Sequence, residues 1–267
     1  MRPALWVRAG FCVSFLTCIV AIGAVCVLAD RLHIERAGQT RAADLDGLRA
    51  SVERMADEIR FSDLGHKHTE VRNFIVQSQL AQATDPIVFV GDSITESAFL
   101  PASLCGHPVV NAGLGGANAR LYFDFAQQVL RTLKVTLIVV AIGTNDSATI
   151  AQRYEGLFES NYSRLIQFLK PHAAFQVLVG VPALEMTEPL ARDYFDNAAS
   201  EENNRIIAAI AARDSIPFAD IRSAMAGEKM TQMTVDGVHL SPDGYRGWMT
   251  AISAAISKTL NCQAASN

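Results

Sequence analysis

The chain has 267 residues, half of them hydrophobic, with a formal net charge of -4. That composition supplies a sizeable core and excludes wholesale disorder. No basic block interleaved with aromatic residues occurs, which argues against nucleic acid as a partner.

The first element is an uncharged run from Ala9 to Ala29, preceded by Arg2 and Arg8 and followed by Asp30 and Arg31. A run of roughly twenty apolar residues matches the hydrocarbon thickness of a bilayer at 1.5 Å per helical residue, so residues 1–30 are expected to form a transmembrane anchor. The competing reading is a signal peptide cleaved after "VLA", but the apolar cores of such peptides run only about 7–15 residues. Arg31, Arg36 and Arg41 do not favour a cytoplasmic N-terminus. A short leader before a large C-terminal domain still predicts that the domain is exported.

Residues 31–85 are polar and lack proline. Leu45, Leu48, Val52, Met55 and Ile59 recur three and four apart, the pattern of one helical face. This predicts a helical stalk, with self-association through a coiled coil as one use of it.

From Pro86 onward, short apolar runs alternate with longer helical patterns. The runs are "IVFVGDSI", "PVVNAG", "VTLIVVAIGTND", "AFQVLVGVPA" and "IPFADI". Between them Leu121, Phe125, Val129 and Leu130 fit one helical face, and Tyr154, Leu157, Tyr162, Leu165 and Phe168 another. Strands this apolar are buried on both faces, which requires helices on both sides of a parallel sheet. The expectation is an α/β domain over 86–262, three layers α/β/α. Ligands of such sheets bind beyond the carboxyl ends of the strands.

The residues at those ends are chemically selective. The first run stops at Gly91-Asp92-Ser93, where the serine is either a helix cap or an exposed hydroxyl. The second leads into "NAGLGGANA", whose glycines allow tight turns and close backbone approach to a ligand. The third ends in Gly143-Thr144-Asn145-Asp146, which offers a side-chain amide as a donor. "DGVHL" places Asp236 three residues before His239, so that a carboxylate can orient an imidazole. Together they supply a nucleophile, oxyanion donors and an oriented base. Of the five cysteines, Cys12, Cys18 and Cys26 lie in the apolar run. Cys105 and Cys262 either pair in an oxidising compartment or remain buried thiols.

The ordered blocks "GDSITE", "NAGLGGANA", "GTND" and "DGVHL" resemble those of the SGNH, or GDSL-type, hydrolase family. The resemblance covers Pro86 to about Leu260. It implies a flavodoxin-like domain with parallel strand order 2-1-3-4-5 and a serine esterase activity without metal or cofactor. It also implies catalytic roles for Ser93, Asp236 and His239, and an oxyanion hole from Ser93, Gly116 and Asn145, with Gly113 and Gly115 as alternatives to Gly116. The expected substrate is an acyl ester of a cell-surface glycan or lipid, with a short acyl group such as acetyl preferred. Transfer of the acyl group to a polysaccharide, or a non-catalytic scaffold tethered to the membrane, are the alternatives. The anchor implies a periplasmic or extracellular catalytic domain, or a secreted one if the leader is removed.

Overall fold

A computed structural model describes residues 28, 31, 65, 67–130, 134–149, 157–226 and 232–262. The chain divides into two units, Met1–His66 and Lys67–Asn267. The apolar run and the Leu45–Ile59 stalk pattern fall in the first unit and, Leu28 apart, lie outside the described residues. Among the described residues, no helix is long and apolar enough to cross a membrane.

The second unit opens with a helix over residues 67–82 (α1). Then follow β1 (Ile87–Gly91), α2 (Ser93–Glu96), β2 (Ser103–Leu104), β3 (His107–Gly113), α3 (Ala119–Val129), β4 (Val135–Ala141), α4 (Leu157–Leu169) and β5 (Ala173–Val179). The chain continues through α5 (Pro189–Tyr194), α6 (Asn197–Asp214), β6 (Phe218–Ala219), α7 (Ile221–Ala226) and α8 (Pro242–Leu260).

The sheet order is β2-β3-β1-β4-β5-β6. The five strands β3-β1-β4-β5-β6 are parallel and reproduce the predicted order. The departure is β2, a two-residue antiparallel strand on the edge of β3 that makes the sheet mixed. It returns through Cys105 and Gly106, both at positive φ (53° and 81°). That backbone matches the right-handed twist of a two-residue hairpin.

Strand alternation builds the two faces of the core. Val88, Val90, Ile138 and Val140 point to one face, where they meet Tyr122 and Phe125 of α3, Tyr162 and Leu165 of α4 and Ile207 of α6. Ile87, Phe89, Leu137 and Val139 point to the other, against Trp248, Ile252 and Ile256 of α8. Every residue of β1 is buried. A fully buried side chain of this size stabilises by roughly 1.5–3 kcal/mol, which explains why β1, buried along its whole length, carries no polar residue.

Two expectations about helix faces need correction. Leu121 and Leu157 are exposed, at 51% and 45%. Each lies near the start of its helix, and the large apolar side chains that reach the core come from later positions. The predicted Tyr154 lies outside the described residues. A third difference concerns α1: Val76 and Leu80 are buried in the core with Val110 and Leu130, so this compact unit begins at Lys67 rather than Pro86.

Cys105 and Cys262 form a disulfide with Cα atoms 5.7 Å apart, tying the β2–β3 turn to the end of α8 across 157 residues of sequence. A cross-link between such distant points restricts the unfolded chain more than the folded one. Replacing both cysteines with serine is expected to lower unfolding free energy by about 2–4 kcal/mol, read from urea denaturation of the oxidised protein and the double variant.

Candidate functional site

The site is assembled from loops at the carboxyl ends of β1, β3 and β4 and from the loop before α8. β1 ends in Gly91, and Asp92 caps α2: its side chain accepts the Ile94 N–H at 2.9 Å. The cap is therefore the aspartate, not the serine. Ser93 becomes the first helical residue, with its hydroxyl released from capping. Its N–H is one of the orphan donors of a helix start, and among the described residues no acceptor bonds to it.

The "DGVHL" loop is held from both sides. Thr234 and Leu240 close it as a bridge, and the Val235 N–H donates to the His239 carbonyl at 2.8 Å. Gly237 turns the chain at φ 93°, where a side chain would collide with Ala191, Glu188 and the Glu185 carbonyl. Glu185 accepts from both the N–H and the hydroxyl of Thr234 and donates its own N–H to the Gly237 carbonyl. The loop after β5 thus braces the loop carrying the histidine.

Asp236 accepts the Val238 and His239 N–H groups on Oδ1, at 3.0 and 2.8 Å. Its Oδ2 lies 2.7 Å from His239 Nδ1, and His239 Nε2 lies 3.0 Å from Ser93 Oγ. With the proton assigned to Nδ1, Nε2 is left as the acceptor for the serine hydroxyl. Partial burial pushes the Asp236 carboxyl up, but the bonds from the His239 backbone and ring and from Val238 outweigh it and hold the group below its ordinary range.

The glycine loop is the second part. The Ala117 N–H donates to the Leu114 carbonyl at 3.1 Å, and Gly116 occupies the third position of this turn at φ 75°. Positive φ there is the mark of a type II turn and favours glycine. The neighbouring N–H groups are engaged: Gly113 with Asn111 Oδ1, Leu114 with the Gly91 carbonyl, and Gly115 with Glu96 Oε2. Among the described residues, the Gly116 N–H has no such partner. This distinguishes it from Gly113 and Gly115.

Asn145 follows Gly143 at the end of β4, and its side-chain amide donates to the Ala117 carbonyl at 3.0 Å, leaving its second N–H for another acceptor. Beside it Asp146 accepts the Ala119 N–H at 3.0 Å, tying the third block to the start of α3. Three further contacts were not anticipated. Asn111 donates to the Thr95 carbonyl at 2.8 Å, Tyr245 donates to the Ile94 carbonyl at 2.7 Å, and Arg72 of α1 donates to the Gly113 carbonyl at 2.9 Å. Asn111 stands within a quoted block, but nothing in the local pattern of α1 marked Arg72. Among the described residues, no group of three or more His, Cys, Asp or Glu side chains is placed to hold a metal ion.

A sheet of this order with serine, histidine and aspartate in hydrogen-bonded series beyond its edge has the arrangement of an SGNH-type hydrolase. The sequence profile of the GDSL-like lipase/acylhydrolase family matches residues 89–246, and the chain belongs to this family. It is accordingly a hydrolase acting on ester bonds. No curated protein matched the chain in sequence.

Solved structures share its fold. A GDSL-like lipase from Bacteroides thetaiotaomicron is 24% identical with a TM-score of 0.55, over 68% of this chain and 95% of that one. An aryl esterase from M. smegmatis is 19% identical with a TM-score of 0.56, over 66% and 99%. A carbohydrate acetylesterase from Sinorhizobium meliloti is 19% identical with a TM-score of 0.52, over 66% and 100%.

Two carboxyls beneath the site carry a pH signature. Burial pushes Asp92 up to about 6, against the opposing Ile94 hydrogen bond. Burial also pushes Asp146 up to about 7; its bond from Ala119 opposes this and the nearby Asp92 charge adds to it. Between about pH 4, the ordinary aspartate range, and pH 7 the folded state holds protons that the unfolded chain has released. The contribution of these groups to stability therefore falls as pH rises through that window. Asp146→Asn keeps an acceptor for the Ala119 N–H and removes the titration. The variant is expected to gain stability relative to wild type as pH rises from about 4 to about 7, read from urea midpoints measured across that range.

Proposed function

We propose that Ser93, His239 and Asp236 act as nucleophile, general base and orienting carboxylate in hydrolysis of a short acyl ester. The observation that carries this reading is the unbroken series Ser93 Oγ, His239 Nε2, His239 Nδ1 and Asp236 Oδ2, with contacts of 3.0 and 2.7 Å. Ser93 Oγ bonds to the acyl carbon as its proton passes to Nε2, and Asp236 stabilises the resulting imidazolium. The Ser93 and Gly116 N–H groups and the Asn145 amide receive the negative charge on the carbonyl oxygen, each such donor being worth about 10²–10³ in kcat. The imidazolium then protonates the departing alkoxide. Water, deprotonated by the same nitrogen, releases the acid and restores Ser93.

The preferred substrate is a short acyl group, such as acetyl, on a glycan outside the cytoplasm. The similarity in fold to a carbohydrate acetylesterase is an analogy in its favour. A location outside the cytoplasm, with residues 1–30 as anchor or cleaved leader, is supported by the uncharged run from Ala9 to Ala29 and by the Cys105–Cys262 disulfide.

Ser93→Ala is expected to lower p-nitrophenyl acetate turnover by at least about 10³-fold. Equal turnover by the variant and wild type would overturn the nucleophile assignment. Across a p-nitrophenyl ester series, kcat/KM is expected to be highest at two to four carbons; a maximum at eight or more refutes the short-acyl preference.

A further inference from the structure

The proposed oxyanion loop is held by a cluster outside the Ser-His-Asp series. Glu96, the last residue of "GDSITE", accepts the Gly115 N–H on Oε2 at 2.6 Å. The same oxygen lies 3.0 Å from His68 Nε2, and Oε1 lies 3.4 Å from Arg72 Nε. Arg72 also donates to the carbonyls of Gly113 and Asn111, at 2.9 and 3.0 Å. One guanidinium thus joins the end of β3 to the carboxylate that grips the loop.

The clamp sits close to the chemistry. A Cβ built on Gly115 would lie 3.1 Å from Glu96 Oε2, 3.6 Å from His68 Nε2 and 3.9 Å from Ser93 Cβ. Glu96 itself is fixed, since Asn111 donates to its carbonyl and its N–H bonds to the Asp92 carbonyl. By contrast, Gly116 is exposed, and a Cβ there would meet nothing within 4 Å. Nothing packs over the Cα of Gly116 to help orient the peptide that carries its N–H. What fixes it is the hydrogen bonding of the turn on either side: the Leu114 and Ala117 N–H bonds within the fold, and the Gly115 N–H bond to Glu96.

We propose that Glu96 is a positioning residue for the Gly116 N–H, held in place by Arg72 and His68, so that α1, which precedes the matched family region, completes the catalytic unit. A charged acceptor strengthens the Gly115 bond relative to a neutral one, and Arg72 pairs with that charge in a largely buried setting. The consequence is specific to the transition state. Substrate binding draws little on the Gly116 donor, whereas the tetrahedral oxyanion requires it.

This inference rests on the proposed catalytic roles, and the experiment separates the two. With full-length protein and p-nitrophenyl acetate, Glu96→Ala is expected to lower kcat about 10-fold while KM stays within about two-fold, because a donor worth 10²–10³ is loosened rather than removed. Inhibition by a boronic acid, which forms a tetrahedral adduct on serine, should weaken by the same factor. Glu96→Gln, which keeps an oxygen acceptor for Gly115, should recover at least about a third of wild-type kcat, and Arg72→Ala should share the kcat-selective loss in milder form.

Unchanged kcat in folded Glu96→Ala overturns the proposal. So does a loss confined to KM, or a loss that Glu96→Gln does not recover. If Glu96→Ala fails to fold, Arg72→Ala and Glu96→Gln decide by the same split between kcat and KM. Failure of the underlying reading has a different sign: Ser93→Ala would then be as active as wild type.

Discussion

At the carboxyl ends of β1 and β3 the backbone runs too close to α2 for any side chain. A Cβ at Gly91 would strike Thr95 and the Ala141 carbonyl, and one at Gly113 would strike the backbone of Thr95 and Glu96. The strand register pairs Gly91 with Gly113 on one side and with Ala141 on the other. Three small residues at one level let the four-residue helix α2 fold back over the sheet edge. Ser93, the glycine loop and the third block then meet in one place. Without that approach Asn111 could not reach the Thr95 carbonyl, nor Glu96 the Gly115 N–H.

Around this close contact the chain distributes its carboxylates by environment. Asp236 receives three donors and stays ionised beside the histidine, suited to stabilising an imidazolium. Asp92 and Asp146 are more deeply buried, and each spends its acceptors on a helix start: Asp92 on Ile94 of α2 and Asp146 on Ala119 of α3. Burial raises both, so the charge nearest the strand ends is weakened at moderately acidic pH. The same residue type thus stands beside an imidazole in one position and caps a helix start in another, with its charge set by how deeply it is buried.

Much of this was legible from local pattern. The parallel sheet followed from the alternation of doubly buried strands with helices, and its strand order from the family resemblance. The juxtaposition of Ser93, Asp236 and His239 was expected from the place of Ser93 at a strand end, the loop position of the Asp-x-x-His pair and the family resemblance. The ambiguity at Ser93 was resolved by one contact, the Asp92 side chain on Ile94, which sequence cannot rank because Asp and Ser are comparable caps. The exposed Leu121 and Leu157 show where periodicity misleads: it specifies a face but not how far a neighbour extends to cover it. The two-residue strand β2 is too short to register as an apolar run. Arg72 lies more than twenty residues from Glu96, on a helix outside the blocks that carry the family resemblance.

By itself the sequence determined the elements and the chemistry available at their ends, because apolar periodicity, glycine and capping residues act over a few positions. The tertiary structure decided which donors are already engaged and which remain for a substrate. It decided whether Cys105 and Cys262 meet, and whether α1 packs into the core of the domain. Those outcomes depend on distances between segments far apart in the chain, and only the packing of two helical layers on one sheet fixes them.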